Sequence, residues 1–436
     1  MTEIAFTGAF LAILFLFLGT GVWVALSLIG VATVGMLLFT SRPVGDAMAT
    51  TIWSASSAWS LTALPLFIWM GEILFRTRLS ENLFRGLTPW MRLLPGGLLH
   101  VNIAGSAIFA AISGSSAATV ATVGKMSIPE LRERRYPERL IVGTLAGAGT
   151  LGLLIPPSIT LIIYGVTVNE SIAKLFIAGV VPGIVLALLF MGFVVVWALT
   201  RRDAAGESLP SYTLAQMMRG ALLLLPVAAL ILLVMGSIYL GFATATEAAV
   251  LGVVGALVLS AAQGSLNRES FLESLLGATR TSAMIAFILA GSAFLSLAMG
   301  FTGLPRALAG WIGGLDLAPI TLVAALTVFY IVLGCFLDGI SAVVLTMAVI
   351  EPLVRQAGFD MIWFGIFLMI VVEMAQITPP IGFNLFVLQG MTGHDMGFIA
   401  RAAVPFFVIM IAMVGLLVAV PELATALPSA MSNAPG

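Results

Sequence analysis

The sequence predicts an all-α polytopic membrane protein made of two inverted repeats, each with a re-entrant hairpin and a broken helix. Three observations carry this: the composition, a pair of proline interruptions and an internal repeat. Of the 436 residues, 60% are hydrophobic and only 9% are charged. Apolar runs recur at lengths that cross a bilayer, a balance that no soluble domain of this size has. Two of these runs, LLIPPSIT (Leu153 to Thr160) and AQITPPIGFN (Ala375 to Asn384), each contain a Pro-Pro pair. Proline pairs free backbone carbonyls that lipid cannot satisfy, so such breaks belong where protein encloses a cavity. Pro156 and Pro157 lie 223 residues before Pro379 and Pro380, and Pro129 the same distance before Pro352. Gly114 and Ser116 precede Gly339 and Ser341 by 225, and Trp90 precedes Trp311 by 221. Offsets that drift by so little are the residue of a duplication with small insertions.

Reading apolar runs against polar breaks places spans near 4–19, 22–40, 61–76, 140–168 (broken at the prolines) and 175–200. A second set lies near 219–240, 242–262, 283–300, 361–390 (broken again) and 398–420. The stretches 97–127 and 317–352 are interrupted mid-way, by Ser113-Gly114-Ser115-Ser116 and by Asp338-Gly339. Each arm has about 15 residues, too short to span and suited to a hairpin that enters and leaves on one side. The repeat units are then 1–200 and 219–420, with a cytoplasmic linker at 201–218 and a tail at 421–436. Five crossings plus one hairpin make an odd number, which turns the second copy upside down.

Charge placement fixes the orientation. With the N-terminus outside, 15 of the 19 basic residues face the cytoplasm, leaving Arg42, Lys174, Arg306 and Arg355 outside. That is the positive-inside bias, with both termini on the periplasmic side. The N-terminus carries no positive charge ahead of its apolar run, so the first segment reads as a retained span. A net charge of −1 leaves no basic patch for nucleic acid, and a single cysteine, Cys335, excludes an intrachain disulfide. Pro43 to Trp59 and Arg268 to Ser282 mix Trp, Ser, Thr and charge, as helices lying in the membrane interface do; an ordinary polar connection fits equally.

The candidate chemistry sits in two hairpin tips and two proline breaks. Ser113, Gly114, Ser115, Ser116 and Thr119 offer hydroxyls and carbonyls around a chain reversal. Hard oxygen donors of this kind suit an alkali cation, sodium above all. The alternative is that these small residues only let helices approach closely. In the second tip Asp338 is read as the carboxylate placed deep in the membrane without a basic neighbour, which points to an ion site or proton relay. Ser341, Thr378, Gly382 and Asn384 would complete it. Glu72, Glu247 and Glu373 read as helix-end or packing-paired acids, and His100 and His394 as interfacial. Half-helix N-termini at the breaks favour a carboxylate and C-termini favour the cation, so an anionic substrate carried with sodium follows.

The runs IFAAISGSSAAT (Ile108 to Thr119), GTLGLLIPPSITLIIYG (Gly149 to Gly165), FATATEAA (Phe242 to Ala249) and TPPIGFNLF (Thr378 to Phe386) resemble the large membrane subunit of tripartite ATP-independent periplasmic (TRAP) transporters. The resemblance covers essentially the whole chain. Relatives usually read TPTEA where this chain has Ala245. The resemblance implies an elevator-type ion transporter fold in the bacterial inner membrane, sodium coupling, a small four-helix membrane partner and a periplasmic binding protein that delivers an organic acid. With no four-helix block ahead of the first apolar run, the small partner is expected on a separate chain. By the family pattern, Ser113, Ser115, Ser116 and Thr150 hold one sodium, and Asp338, Gly339, Thr378 and Pro379 another. Substrate then meets Ser116, Thr119, Pro156, Pro157, Gly382 and Asn384. A stand-alone di- or tricarboxylate carrier shares every feature read from the residues themselves. A channel needs a continuous polar lining. An intramembrane enzyme lacks support: Ser115 and Ser116 have no GxSxG frame, and no metal-ligand spacing occurs, so no enzymatic role is expected.

Overall fold

The computed structural model describes residues 22–77, 79–201, 212–302, 318–335, 337–379 and 382–432, with isolated positions 13, 16 and 17. The expected span at 4–19, most of the 201–218 linker, Arg78, Arg202, Arg306, Trp311 and Pro380 lie outside the described residues or almost wholly so. Every regular element among those described is helical. The first half contains α1 (Val24–Phe39), α2 (Val44–Ser56), a 3₁₀ turn (Trp59–Thr62), α3 (Ala63–Phe75) and α4 (Leu79–Met91). It continues with α5 (Leu99–Ser113), α6 (Ser116–Glu133), α7 (Glu138–Gly149), the one-turn α8 (Leu151–Leu154), α9 (Ile159–Val168) and α10 (Ile172–Thr200). The second half contains α11 (Leu214–Tyr239), α12 (Ala245–Ala262), α13 (Arg268–Thr302), α14 (Pro319–Gly334) and α15 (Gly339–Gln356). It ends with α16 (Met361–Gln376), α17 (Phe383–Thr392), α18 (Met396–Ala419) and α19 (Glu422–Ser432).

Seven helical stretches among the described residues are long and apolar enough to cross a membrane, eight if the bent stretch Val44–Phe75 is one span. Helices α5, α14 and α16, at 15, 16 and 16 residues, fall short of the roughly 20 that a span needs.

One sequence expectation is corrected here. Arg268 to Ser282 is not a separate interfacial segment ahead of a span at 283–300; it is the first part of the 35-residue α13. Nothing between Gly277 and Gly291 breaks a helix, so backbone hydrogen bonding runs through. In the first half the matching chain does bend, by 53°, where Ser57 leaves helical geometry after α2.

The helices sort into two groups. Helices α1 to α4 pack chiefly on α11 to α13, while α5 to α10 pack with α14 to α19. Within the first group, Arg76, the C-cap of α3, pairs with Glu273 on α13 at 2.5 Å, and Trp69 Nε1 donates to Ser274 at 3.3 Å. In the second group, backbones close on each other across glycine: a Cβ on Gly143 would stand 2.5 Å from the Ala402 carbonyl of α18.

The two halves share an order of elements around the proline breaks. Helices α6 and α15 have 18 residues each and start at Ser116 and Gly339; α9 and α17 have 10 each and start at Ile159 and Phe383. The packing crosses between halves, with α6 against α17 and α15 against α9. Arg132, at the end of α6, donates to the Thr392 carbonyl at the end of α17 (3.4 Å). Arg355, at the end of α15, donates to the Val168 carbonyl at the end of α9 (2.9 Å). Both carbonyls belong to the last turn of a helix whose cap, Asn169 or Gly393, is left-handed, so each arginine meets a negative helix end.

Candidate functional site: two chain reversals against two proline breaks

Helix α5 stops because Gly114 adopts a left-handed conformation (φ 60°), and α6 starts at once because Ser115 is extended and its hydroxyl accepts the Ala118 amide. The first break forms similarly. Ile155, ahead of proline, is extended and ends α8, and Ser158 then caps α9 by accepting the Leu161 amide at 3.3 Å. The reversal and the break touch. A Cβ on Gly152 would lie 2.5 Å from both the Cα and the amide nitrogen of Ser116, and one on Gly114 would lie 2.8 Å from the Pro157 carbonyl oxygen. Only glycine allows that approach.

Ser115 and Ser116 thus lie against Gly152, and Gly114 against Pro157; Ser113, Ser116, Thr119, Thr150, Pro156 and Pro157 are all buried, with Ser115 half-buried. Thr119 donates to the Ser115 carbonyl at 2.7 Å and lies 3.1 Å from the Ser113 hydroxyl. Thr150 turns back to the Gly147 carbonyl at 2.5 Å. Each hydroxyl oxygen keeps lone pairs for another partner.

The second reversal is more open. Asp338 is exposed, and its carboxylate accepts the Ile340 and Ser341 amides at 3.1 and 3.3 Å as the N-cap of α15. Gly339 is buried: its Cβ position is 3.1 Å from Val372 and 4.0 Å from Gln376 Nε2, both on α16. Cys335 donates to the Pro379 carbonyl at 3.2 Å, which brings the end of α14 onto the second break. Pro379 is exposed, and Thr378 donates to the Met374 carbonyl at 2.7 Å. Ser341 is buried on the first turn of α15. Gly382 is left-handed (φ 45°) and leads into α17. Asn384 belongs beside the first break instead, with Nδ2 3.7 Å from the Cβ position of Gly149; neither of its amide atoms has a hydrogen-bond partner among the described residues.

Glu72 pairs with Arg76 at 3.3 Å, and Glu247 closes a capping box with Thr244, so both are the packing and helix-end acids expected. Glu373 is different. It is fully buried in α16, accepts the Leu153 amide at 3.1 Å and a hydrogen bond from Ser116, and has no basic partner among the described residues. Its second oxygen has no hydrogen-bond partner among them either. The deeply enclosed carboxylate is thus Glu373 and not Asp338. A signal for it existed: between Arg355 and Arg401 the sequence holds no Lys or Arg, so an acid in that run has no local counter-ion. His100 also departs from the interfacial reading; it is fully buried at the start of α5, with Nε2 2.7 Å from the Pro95 carbonyl. His394 sits at one end of the fold, 3.1 Å from Glu138.

Residues 11–423 match the family described as the tripartite ATP-independent periplasmic transporter, DctM component. The chain belongs to that family. It is 31% identical to the C4-dicarboxylate TRAP transporter large permease protein DctM of Pseudomonas aeruginosa, over 93% of this chain and 94% of that one. It is 30% identical to the isethionate TRAP transporter permease protein DctMQ of Oleidesulfovibrio alaskensis, over 94% of this chain and 64% of that longer one. In fold it is similar to the Alcanivorax borkumensis YdaH transporter, with a TM-score of 0.66 at 13% identity, covering 92% of this chain and 96% of that one. The DctM-family chain is thus the large membrane subunit of a TRAP transporter, a multi-pass inner-membrane protein.

Proposed function

We propose that this DctM-family subunit carries a small organic acid inward together with sodium, after a periplasmic binding protein hands the acid over. The observation that carries the reading is the contact of chain reversal with proline break: the first pair is buried and lined by hydroxyls and carbonyls, and α16 runs from it to the second. Relatives named for C4-dicarboxylate and isethionate support an acid as cargo.

In this reading Ser113, Ser115, Ser116 and Thr150 hold one sodium ion, and Asp338, Gly339, Thr378 and Pro379 the other. The donors are neutral oxygens plus one carboxylate, which suit a hard monovalent cation. Ser116, Thr119, Pro156, Pro157, Gly382 and Asn384 face the acid, and the unpartnered amide of Asn384 offers it a donor. The halves are inverted repeats, their hairpins enter from opposite faces, and both termini are periplasmic. Helices α5 to α10 with α14 to α18 form an elevator that moves against α1 to α4 and α11 to α13. A small four-helix membrane subunit completes the complex.

The test is a sodium jump on proteoliposomes holding this chain and its small subunit, with candidate radiolabelled acids and with the binding protein present or omitted. Uptake that requires both the inward sodium gradient and the binding protein is the expected result. Uptake indifferent to sodium removes the coupling, and uptake that ignores the binding protein favours a stand-alone carboxylate carrier.

A further inference from the structure

We infer that Glu373 is a positioning residue that ties the first ion site to the broken helix of the opposite half. The inference rests on the sodium-coupled reading above. Glu373 stands on α16, yet both its hydrogen-bond donors belong to the first half. Ser116 is the first residue of α6, immediately after the reversal, and Leu153 lies in α8, the single turn between Thr150 and the prolines. One carboxylate oxygen thus receives the two pieces of backbone that flank the first site. The same stretch of α16 also lies against the second reversal: Val372 and Gln376 are 3.1 and 4.0 Å from the Cβ position of Gly339, whose nearest neighbour is Leu153 of the first break at 3.0 Å. Helix α16 is therefore in contact with both sites, through Glu373 on one and through Val372 and Gln376 on the other.

An ion that orders Ser116 and the first break favours the placement of α16 that Glu373 requires, and that placement supports the second reversal. By reciprocity, an ion at the second site then strengthens the first. What the position demands is an acceptor at a fixed reach, taking one hydroxyl and one amide. A glutamine Oε1 meets that demand without a carboxyl group, whereas aspartate keeps the carboxyl group and is one methylene too short.

Sodium titration of uptake by the reconstituted transporter, with its small subunit and binding protein, separates the two. Glu373→Gln is expected to keep half-saturating sodium within about twofold of wild type. Glu373→Asp is expected to raise it by about tenfold and to lower the Hill coefficient toward one, because a buried acceptor is lost from both donors. Half-saturation by substrate at saturating sodium should move far less. A normal Asp variant with an impaired Gln variant means that the carboxyl group, not reach, is what the site uses; that result, or two variants impaired alike or both normal, overturns the inference. If wild-type uptake shows no sodium dependence at all, it is the sodium-coupled reading that has failed.

Discussion

Gly152 shows most directly how single residues set this site. Its missing Cβ would stand 2.5 Å from the Ser116 backbone and 2.7 Å from the Ser115 carbonyl carbon, and neither neighbour is a side chain able to turn away. Gly152→Ala should therefore cost about 1–3 kcal/mol through forced backbone shifts and abolish sodium-driven uptake. Gly192→Ala in α10, where nothing lies within 4 Å, is the matched control and should leave both the melting temperature and uptake unchanged. Asp338 calls for the reverse expectation. Its carboxylate is exposed and caps α15, so Asp338→Ala should cost about 0.5–2 kcal/mol, the usual cost of a lost cap. If it also binds the second ion, the variant's half-saturating sodium rises as well. An unchanged sodium titration, with only the melting temperature lowered, leaves Asp338 as a helix cap and nothing more. The sequence marks Asp338, which stands at a chain reversal, whereas Gly152 lies within the helical turn ahead of the first break. Glu373 escapes a reading based on tips and breaks, since its importance comes from a contact 257 residues away in the chain.

At the scale of elements, proline, glycine and cap residues reveal most of the boundaries. Ser115, Ser158, Ser171, Thr213, Thr244, Asp338, Asp360 and Asp395 each cap the helix that follows, and each can be picked out from sequence as a short polar residue ahead of an apolar run. The continuity of α13 is less legible, because Thr, Arg and Ser at 279–282 resemble a loop by polarity while nothing in their backbone preferences stops a helix. What the sequence does not show at all is which elements meet. The crossed arrangement, with α6 on α17 and α15 on α9, appears only in three dimensions. It sets an expectation for Arg355, which bridges to the Val168 carbonyl and to Glu351 but remains 45% exposed in its side chain. Arg355→Ala should lower stability by at most about 1 kcal/mol, and less at high salt, as for solvent-screened pairs. Thermal melts at low and high salt measure it; a loss of several kcal/mol contradicts a screened contact.

For the molecule as a whole, the division of helices into two groups gives the elevator proposal a mechanical test. Ser292 on α13 donates to the Val344 carbonyl of α15 at 2.9 Å, so these positions touch across the boundary between the groups. Arg76, the C-cap of α3, and Glu273 on α13 touch within one group, at 2.5 Å. In a background carrying Cys335→Ser, the pair Ser292→Cys with Val344→Cys, bridged by mercuric ion, should arrest uptake and release it again on addition of excess thiol. The pair Arg76→Cys with Glu273→Cys, treated alike, should transport before and after bridging, because a tie inside one group leaves the boundary free. The first bridge crosses that boundary and the second does not, so the contrast bears on relative motion of the two groups. Full uptake with the Ser292–Val344 bridge closed means that these surfaces do not slide during transport. The moving unit would then have to be smaller than the whole second group, for instance the hairpin tips alone.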